Sequence, residues 1–200
     1  MKIGMIFECG PDGADHQVCR HLARFLQPDI EIAHVTLDNK RKLVAECGSA
    51  VVKLLADGCE RVVIVWDLHP PWRSNKQKPC RKEDRESILS TLAKADVKSS
   101  QVSLICIEEE LEAWLIADGR ALSTVLSRKA HPVKVQDTRN AERTRSPKTR
   151  LNRVFQQHFG RPYVDRIHAR LIVEALPDLT RLRRCETLVR FAVKVTGQKP

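Results

Sequence analysis

Acidic side chains follow three short apolar stretches of the chain. Glu8 follows the first stretch, Asp67 follows the second, and a run of glutamates at 108–112 follows the third. Each stretch has the length and composition of a buried β-strand. Because parallel strands end at one edge of a sheet, we expect these acids to meet there, where open α/β sheets place their ligands. The three stretches are residues 3–7, 62–66 and 102–107.

Carboxylates gathered in this way predict a site for a hard divalent cation, Mg²⁺ or Mn²⁺. Such ions prefer oxygen ligands, and neighbouring carboxylates repel one another unless a cation lies among them. The candidate ligands from the strand ends are Glu8, Asp67 and one or more of the acids at 108–112, among which Glu108 and Glu112 lie one helical turn apart. Asp12 in the glycine turn after Glu8 is a further candidate. A helix cap is the alternative role for Asp12, since aspartate commonly precedes a helix.

Two other acids of the third group have a simpler interpretation. Glu109 and Glu110 would begin a helix predicted at 109–118, where they suit the positive end of the helix dipole as exposed first-turn acids. In the same helix Trp114 has the spacing of a core residue.

The order of the predicted elements indicates an α/β fold. Strands and amphipathic helices alternate through residue 118, which favours a mostly parallel four-stranded sheet flanked by helices. We therefore expect residues 1–118 to form the α/β domain and residues 119–200 to form a basic helical extension packed on it. Besides the three stretches above, a strand is predicted at 30–35, and helices at 14–26, 43–56, 85–92, 109–118, 122–126, 148–159, 163–176 and 182–195.

Composition excludes several classes of protein. A hydrophobic content of 42% with 30% charged residues is typical of a globular chain and argues against disorder. No apolar run approaches the roughly 20 residues that span a bilayer, and we expect no signal peptide. The seven cysteines are scattered without a C-x-x-C pair, which favours free thiols in a reducing compartment. These features predict a cytoplasmic protein that makes no membrane contact.

Positive charge is concentrated in the second half of the chain. The net charge is +10, and residues 120–161 contain eleven Lys or Arg against two acids. Arg143, Arg145, Lys148 and Arg150 place four cations within eight residues, a pattern that suits contacts to a nucleic-acid backbone. A merely solvated basic face is the alternative. Aromatic residues make up only 4% of the chain, which argues against a binder that works by base stacking.

Three motifs resemble a known family. Residues 8–12, Glu-Cys-Gly-Pro-Asp, resemble the E-G-x-x-D opening of Toprim domains, the metal-dependent module of topoisomerases, primases and overcoming-lysogenization-defect (OLD) nucleases. Residues 67–69, Asp-Leu-His, lie where Toprim domains carry D-x-D. Residues 112–118 resemble the E-x-W-L-x-A-D segment of an uncharacterised bacterial Toprim-like family, a domain of unknown function. Cys9 stands where the family has glycine, and His69 replaces the second aspartate.

The resemblance implies a Toprim-like α/β fold, roles for the acids and a partner for the protein. Glu8 would act as general acid/base or ligand and Asp67 as a metal ligand, with Asp12 and Glu112 in support. His69 would be a further ligand, although histidine suits manganese better than magnesium. Proteins of this kind often accompany an ATPase of the OLD or structural-maintenance-of-chromosomes (SMC) type.

Two functions follow from these features. The first is a divalent-metal-dependent phosphodiester hydrolase, a Toprim-type nuclease that acts on DNA or RNA in genome maintenance or phage defence. The alternative is a non-catalytic module that binds nucleic acid or an ATPase through a degenerate site, since His69 breaks the D-x-D motif. A phosphoacceptor domain that uses Asp67 is less consistent with the sequence, because the segment after the last strand offers acids where such a domain needs a lysine.

Overall fold

A four-stranded parallel sheet lies at the centre of the fold. The computed structural model describes residues 1–69, 78–197 and 200. The strands follow the order β2-β1-β3-β4, and every neighbouring pair is parallel. The predicted parallel α/β fold is therefore confirmed. The strands are β1 (Lys2–Phe7), β2 (Glu31–Thr36), β3 (Arg61–Asp67) and β4 (Val102–Ile107).

Helices cover both faces of this sheet. Among the described residues, α2 and α3 pack together on one face, whereas α1, α7 and α8 lie on the other. Short 3₁₀ turns occur at Ser99–Gln101, Ala141–Arg143 and Leu182–Arg184. The helices are α1 (Ala14–Leu26), α2 (Lys40–Ala56), α3 (Arg81–Lys94), α4 (Glu112–Leu115), α5 (Gly119–Leu126), α6 (Pro147–Phe159), α7 (Asp165–Glu174) and α8 (Glu186–Thr196).

The central position of β3 follows from its composition. Val62 to Trp66 are all buried, as expected for a parallel strand that is covered on both faces. Val63 and Val65 point into the apolar cluster shared with α1, and Ile64 and Trp66 point into the cluster beneath α2 and α3. Hydrophobic burial on both sides thus holds the strand whose carboxyl end carries Asp67.

Helices after residue 118 complete the core on the α1 face. Leu151 of α6, Ile172 of α7 and Phe191 of α8 belong to the same apolar cluster as Met5 of β1. The extension therefore buries a large part of one sheet face. All seven cysteines are free thiols. Within the part of the chain that the structure describes, no helix is long and apolar enough to cross a membrane.

Element boundaries differ from prediction where side chains or turns set them. The second helix begins at Lys40 rather than residue 43, because the Asn39 side chain accepts a hydrogen bond from the Lys42 N–H and caps the helix. The helix predicted at 109–118 is wrong in its first turn. Glu109 has a positive φ of 64°, which a helix does not allow, and α4 begins only at Glu112.

Candidate functional site

Glu8 and Asp67 meet at the carboxyl edge of the sheet. Glu8 follows β1 and Asp67 ends β3, and these two strands are paired neighbours. The Asp67 backbone N–H donates a hydrogen bond to Glu8 Oε1 at 3.2 Å. The structure thus brings together the two acids that the sequence analysis regarded as central.

Each of these two carboxylates has one oxygen directed into a buried position. Asp67 Oδ2 accepts a hydrogen bond from the Leu111 N–H at 3.2 Å. The other oxygens, Glu8 Oε2 and Asp67 Oδ1, are buried and have no hydrogen-bond partner among the described residues. A buried carboxylate oxygen without a partner is costly, and a cation ligand is one arrangement that would satisfy it.

Both acids resist ionisation in this environment. Burial raises the pKa of Glu8 to about 8, against the opposing effect of Lys40 and with a further increase from Asp15. Burial also raises the pKa of Asp67 well above its usual range, and Asp15 and Glu8 add to the effect. Without a cation, these carboxyl groups therefore tend to hold protons near neutral pH.

A buried cation supports the edge of the sheet beside Glu8. Lys40 is only 6% exposed, and its Nζ donates a hydrogen bond to the Leu68 carbonyl at 2.9 Å. The same Nζ lies 3.7 Å from Asp84 Oδ2, which also accepts a hydrogen bond from Trp66 Nε1 at 3.3 Å. Lys40 therefore fixes the chain after β3 and places positive charge near Glu8.

Asp15 is the acid that the sequence analysis missed. It lies in the first turn of α1, and burial raises its pKa. Gly13 permits this turn because a Cβ there would lie 2.3 Å from the Cys9 Cβ. The backbone of Cys9 has no positive φ, so a residue other than glycine is tolerated at that position.

Asp12 faces solvent instead. Its residue is exposed, and its backbone carbonyl accepts a hydrogen bond from Gln17 Nε2. The cap role is wrong for this residue, because the N-cap position of α1 is Gly13 and no side chain caps it. The metal-ligand role of Asp12 stays a prediction. For Asp15, the sequence feature that could have identified it is its position in the first turn of a helix that directly follows a strand-end turn.

Glu112 forms a second acidic position together with Lys148. Glu112 is 4% exposed, and its Oε1 lies 3.8 Å from Lys148 Nζ. Lys148 Nζ also donates to Asp165 Oδ2 at 2.6 Å. Burial raises the pKa of Glu112 to about 7, while Lys148 acts in the opposite direction. Lys148, predicted as a nucleic-acid contact, is thus held among acids next to the candidate site.

His69 lies at the rim of the site. Its backbone N–H donates to the Glu109 carbonyl at 3.0 Å, and its Nε2 lies 3.9 Å from Glu109 Oε2. A pocket of about 260 Å³ is lined by His69, Glu109, Glu110, Arg145 and Ser146. Glu110 is not a free surface acid, because its Oε2 accepts a hydrogen bond from a backbone N–H of α6. His69 as a ligand stays a prediction.

The remaining predicted nucleic-acid contacts occupy two surfaces. Arg143, Arg145 and Arg150 are all exposed. Arg145 and Arg150 line one pocket with Arg153, whereas Arg143 lines a separate groove. Trp72, whose indole ring has the chemistry to stack on a base, lies outside the described residues.

No preformed metal cage is present in the described ranges. Within residues 1–69 and 78–197, no three His, Cys, Asp or Glu side chains are close enough together to hold a metal ion as they stand. The site therefore offers a pair of carboxylates, Glu8 and Asp67, with two unpartnered oxygens. A bound ion would complete its shell with water or substrate oxygens, as Mg²⁺ commonly does.

Comparison with known proteins places the chain in a family. The family model described as a domain of unknown function, DUF4276, matches residues 13–195. The chain belongs to the DUF4276 family. The family match covers α1 through α8, including Asp15, Asp67 and Glu112, and it begins after Glu8. Searches of curated proteins and of solved structures found no match.

Proposed function

We propose that this protein is a divalent-metal-dependent phosphodiester hydrolase of the Toprim type. The observation that carries the proposal is the pairing of Glu8 and Asp67 at adjacent strand ends, where each has a buried oxygen without a partner. The order of the Toprim-like motifs and the basic surface nearby support it. The free thiols favour a reducing compartment such as the cytoplasm.

Glu8 and Asp67 would hold the ion. Asp15 and Glu112 are further acids nearby, and ordered water would connect their carboxylates to the ion. A magnesium or manganese ion bound there supplies charge neutralisation for a phosphate group and activation of water. Burial raises the pKa of Glu8 to about 8 in the metal-free protein, which suits proton transfer. A bound cation would lower that pKa and favour Glu8 as a ligand. Lys40 holds the chain after β3 in place and keeps a fixed positive charge beside Glu8.

The test is nicking of supercoiled plasmid and cleavage of labelled DNA and RNA strands with Mg²⁺ or Mn²⁺. We expect cleavage that stops with chelator and is lost in Glu8→Gln and Asp67→Asn. Glu46→Gln and Asp29→Asn change exposed acids on other surfaces and serve as matched controls that retain activity. Cleavage that persists in both site variants would refute the proposal.

A non-catalytic binding module is the second candidate. It is favoured by the pairing of His69 with Glu109 and by the lack of a three-residue metal group in the described ranges. This function predicts a gel shift with nucleic acid that chelator does not change, without cleavage. A partner ATPase of the OLD or SMC type is part of either proposal, and it rests on the resemblance alone. Copurification of such an ATPase with the tagged protein would test it.

A further inference from the structure

An arginine-rich groove lies beside the candidate site. The groove has a volume of about 770 Å³, and its walls come from α3, the Ala141–Arg143 turn and the start of α8. Two more arginines than glutamates line it. Among the predicted contacts only Arg143 belongs to this set. The five arginines are Arg81, Arg139, Arg143, Arg184 and Arg190.

The acids of the groove are largely occupied by other partners. Glu108 accepts a hydrogen bond from Arg81 at 2.6 Å. Glu142 accepts hydrogen bonds from two backbone N–H groups at the start of α8, those of Glu186 and Thr187. These contacts hold the two glutamates in place, and the five arginines against three glutamates leave the groove with an excess of positive charge.

Three of the arginines are available to an incoming anion. Arg139, Arg143 and Arg190 are exposed, and within the described residues no carboxylate lies within ion-pair distance of them. Arginines with exposed guanidinium groups along a groove suit successive phosphates, because each guanidinium offers a planar fork of donors.

An apolar recess opens from the same groove. It has a volume of about 340 Å³, at the lower end of the range for small-molecule sites of roughly 300–1,000 Å³. Trp66, Leu104 and Cys106 form its apolar wall, and Arg81 and Arg190 line both the recess and the groove. An apolar wall joined to guanidinium groups has the chemistry of a nucleobase site next to a phosphate site.

The groove also leads to the carboxylates. Glu108 lines the groove and directly follows Ile107, and Ile107 is the register partner of Asp67 in the β3–β4 pair. A strand that lies in the groove would therefore approach the carboxyl edge of the sheet where Glu8 and Asp67 meet.

We propose that the groove and the recess together bind one end of a single-stranded nucleic acid, with its phosphates on Arg139, Arg143 and Arg190 and one base against Leu104 and Trp66. This inference rests on the proposed function for the identity of the substrate and extends it by naming the path of the strand. It requires little base stacking, since Trp66 is the only aromatic side chain among the described residues that line the recess.

The experiment measures fluorescence anisotropy of labelled single-stranded DNA and RNA of about ten nucleotides, in chelator so that no cleavage occurs. Arg143→Ala and Arg190→Ala each remove one phosphate contact. For single strands such a contact contributes about 0.7 to the slope of log K against log salt, which corresponds to about five-fold in affinity at 0.1 M salt. We expect each variant to show both changes. Arg24→Ala, an exposed arginine in the last turn of α1, is the matched control.

Two further measurements test the recess and the chemical identity of the ligand. Leu104→Trp should fill the recess and abolish any preference for an intact over an abasic terminal nucleotide, while the salt slope stays unchanged. A nucleoside monophosphate should compete only in large excess. Tight binding of the monophosphate alone, or stronger binding of poly-glutamate than of oligonucleotide, would overturn the assignment to a nucleic-acid strand.

Failure of this inference is distinct from failure of the proposed function. If Arg143→Ala and Arg190→Ala bind and cleave like the wild type, the groove is refuted and the carboxylate site stands. If the wild type never cleaves but loses affinity in both arginine variants, the groove is supported and the catalytic proposal fails.

Discussion

Replacement of Glu8 by glutamine should change how stability depends on pH. The wild-type carboxyl has a pKa of about 8 in the folded protein against an ordinary value of 4.5. Between these values the folded chain holds a proton on Glu8 and the unfolded chain does not. Folding thus takes up a proton, so the free energy of unfolding falls as the pH rises. This contribution is fully present below pH 4.5 and is lost by about pH 8.

The magnitude follows from the two pKa values. At 1.36 kcal/mol per pKa unit, the full loss is about 5 kcal/mol, of which about 3 kcal/mol has occurred by pH 7. For a chain of this size the loss corresponds to a fall in melting temperature of roughly 6–12 °C between pH 4.5 and 7. Glu8→Gln has no proton to release, and its amide oxygen can still accept the Asp67 N–H.

The assay is urea unfolding at a series of pH values from 5 to 8, without divalent ions, for wild type and Glu8→Gln. Four histidines, His16, His21, His34 and His168, have pKa values lowered by burial, and their effect on stability is common to both proteins. The difference between the two curves therefore reports Glu8 together with its effect on the pKa of Asp67. We expect the variant to gain stability relative to wild type by about 3 kcal/mol between pH 5 and 7.5.

Two outcomes are decisive for this reasoning. Parallel curves for the two proteins would show that Glu8 ionises normally, and the account of a buried, protonated carboxyl would then be wrong. Glu46→Gln, at an exposed position of α2, should track the wild type throughout. At pH 8 we also expect Mg²⁺ to raise the melting temperature of the wild type and not of Glu8→Gln, because the variant lacks one of the two carboxylates that would hold the ion.

Two further predictions concern packing of the chain after residue 118. Gly119→Ala should destabilise the fold by about 1–3 kcal/mol in urea unfolding, because the new Cβ would lie 2.3 Å from the Val135 carbonyl oxygen. Gly10→Ala is the control and should be near neutral, because its Cβ would have space. Equal stabilities of the two variants would contradict the close approach at Gly119. Thr187→Val should lower the free energy of unfolding by about 1–3 kcal/mol, because Trp114 Nε1 donates a hydrogen bond to Thr187 Oγ1 at 2.8 Å in a buried position. Thr187→Ser keeps the hydroxyl and should retain the wild-type stability. An unchanged stability of Thr187→Val would contradict the role of this bond.

The strand ends show which features of the site local sequence patterns predict and which they do not. Short, mainly apolar runs predicted β1, β3 and β4, and the acids after two of them, Glu8 and Asp67, were predicted to meet. That prediction needed only the rule that parallel strands share an edge. The inward-facing role of Asp15 was not predictable, since the turn from Cys9 to Gly13 sets the rotation of α1 and hence which acid points at the sheet.

Tertiary packing determines which acids form ion pairs with the basic residues. The basic segment around Lys148 was visible in the chain as a run of cations, yet its lysine lies against Asp165 and Glu112. Ion pairs depend on where α6 and α7 pack, and packing joins residues that no short pattern relates. The acids that pair with a given basic side chain therefore could not be inferred from its neighbours in the sequence.

The amino-acid sequence by itself determined the parallel α/β fold and the convergence of Glu8 with Asp67, because hydrophobic periodicity and strand-end position are local properties. Only the tertiary structure decided that Arg81, Arg143 and Arg190 line one groove. These residues lie on three elements separated by long stretches of chain, and the packing of α3 and α8 around β4 brings their side chains together.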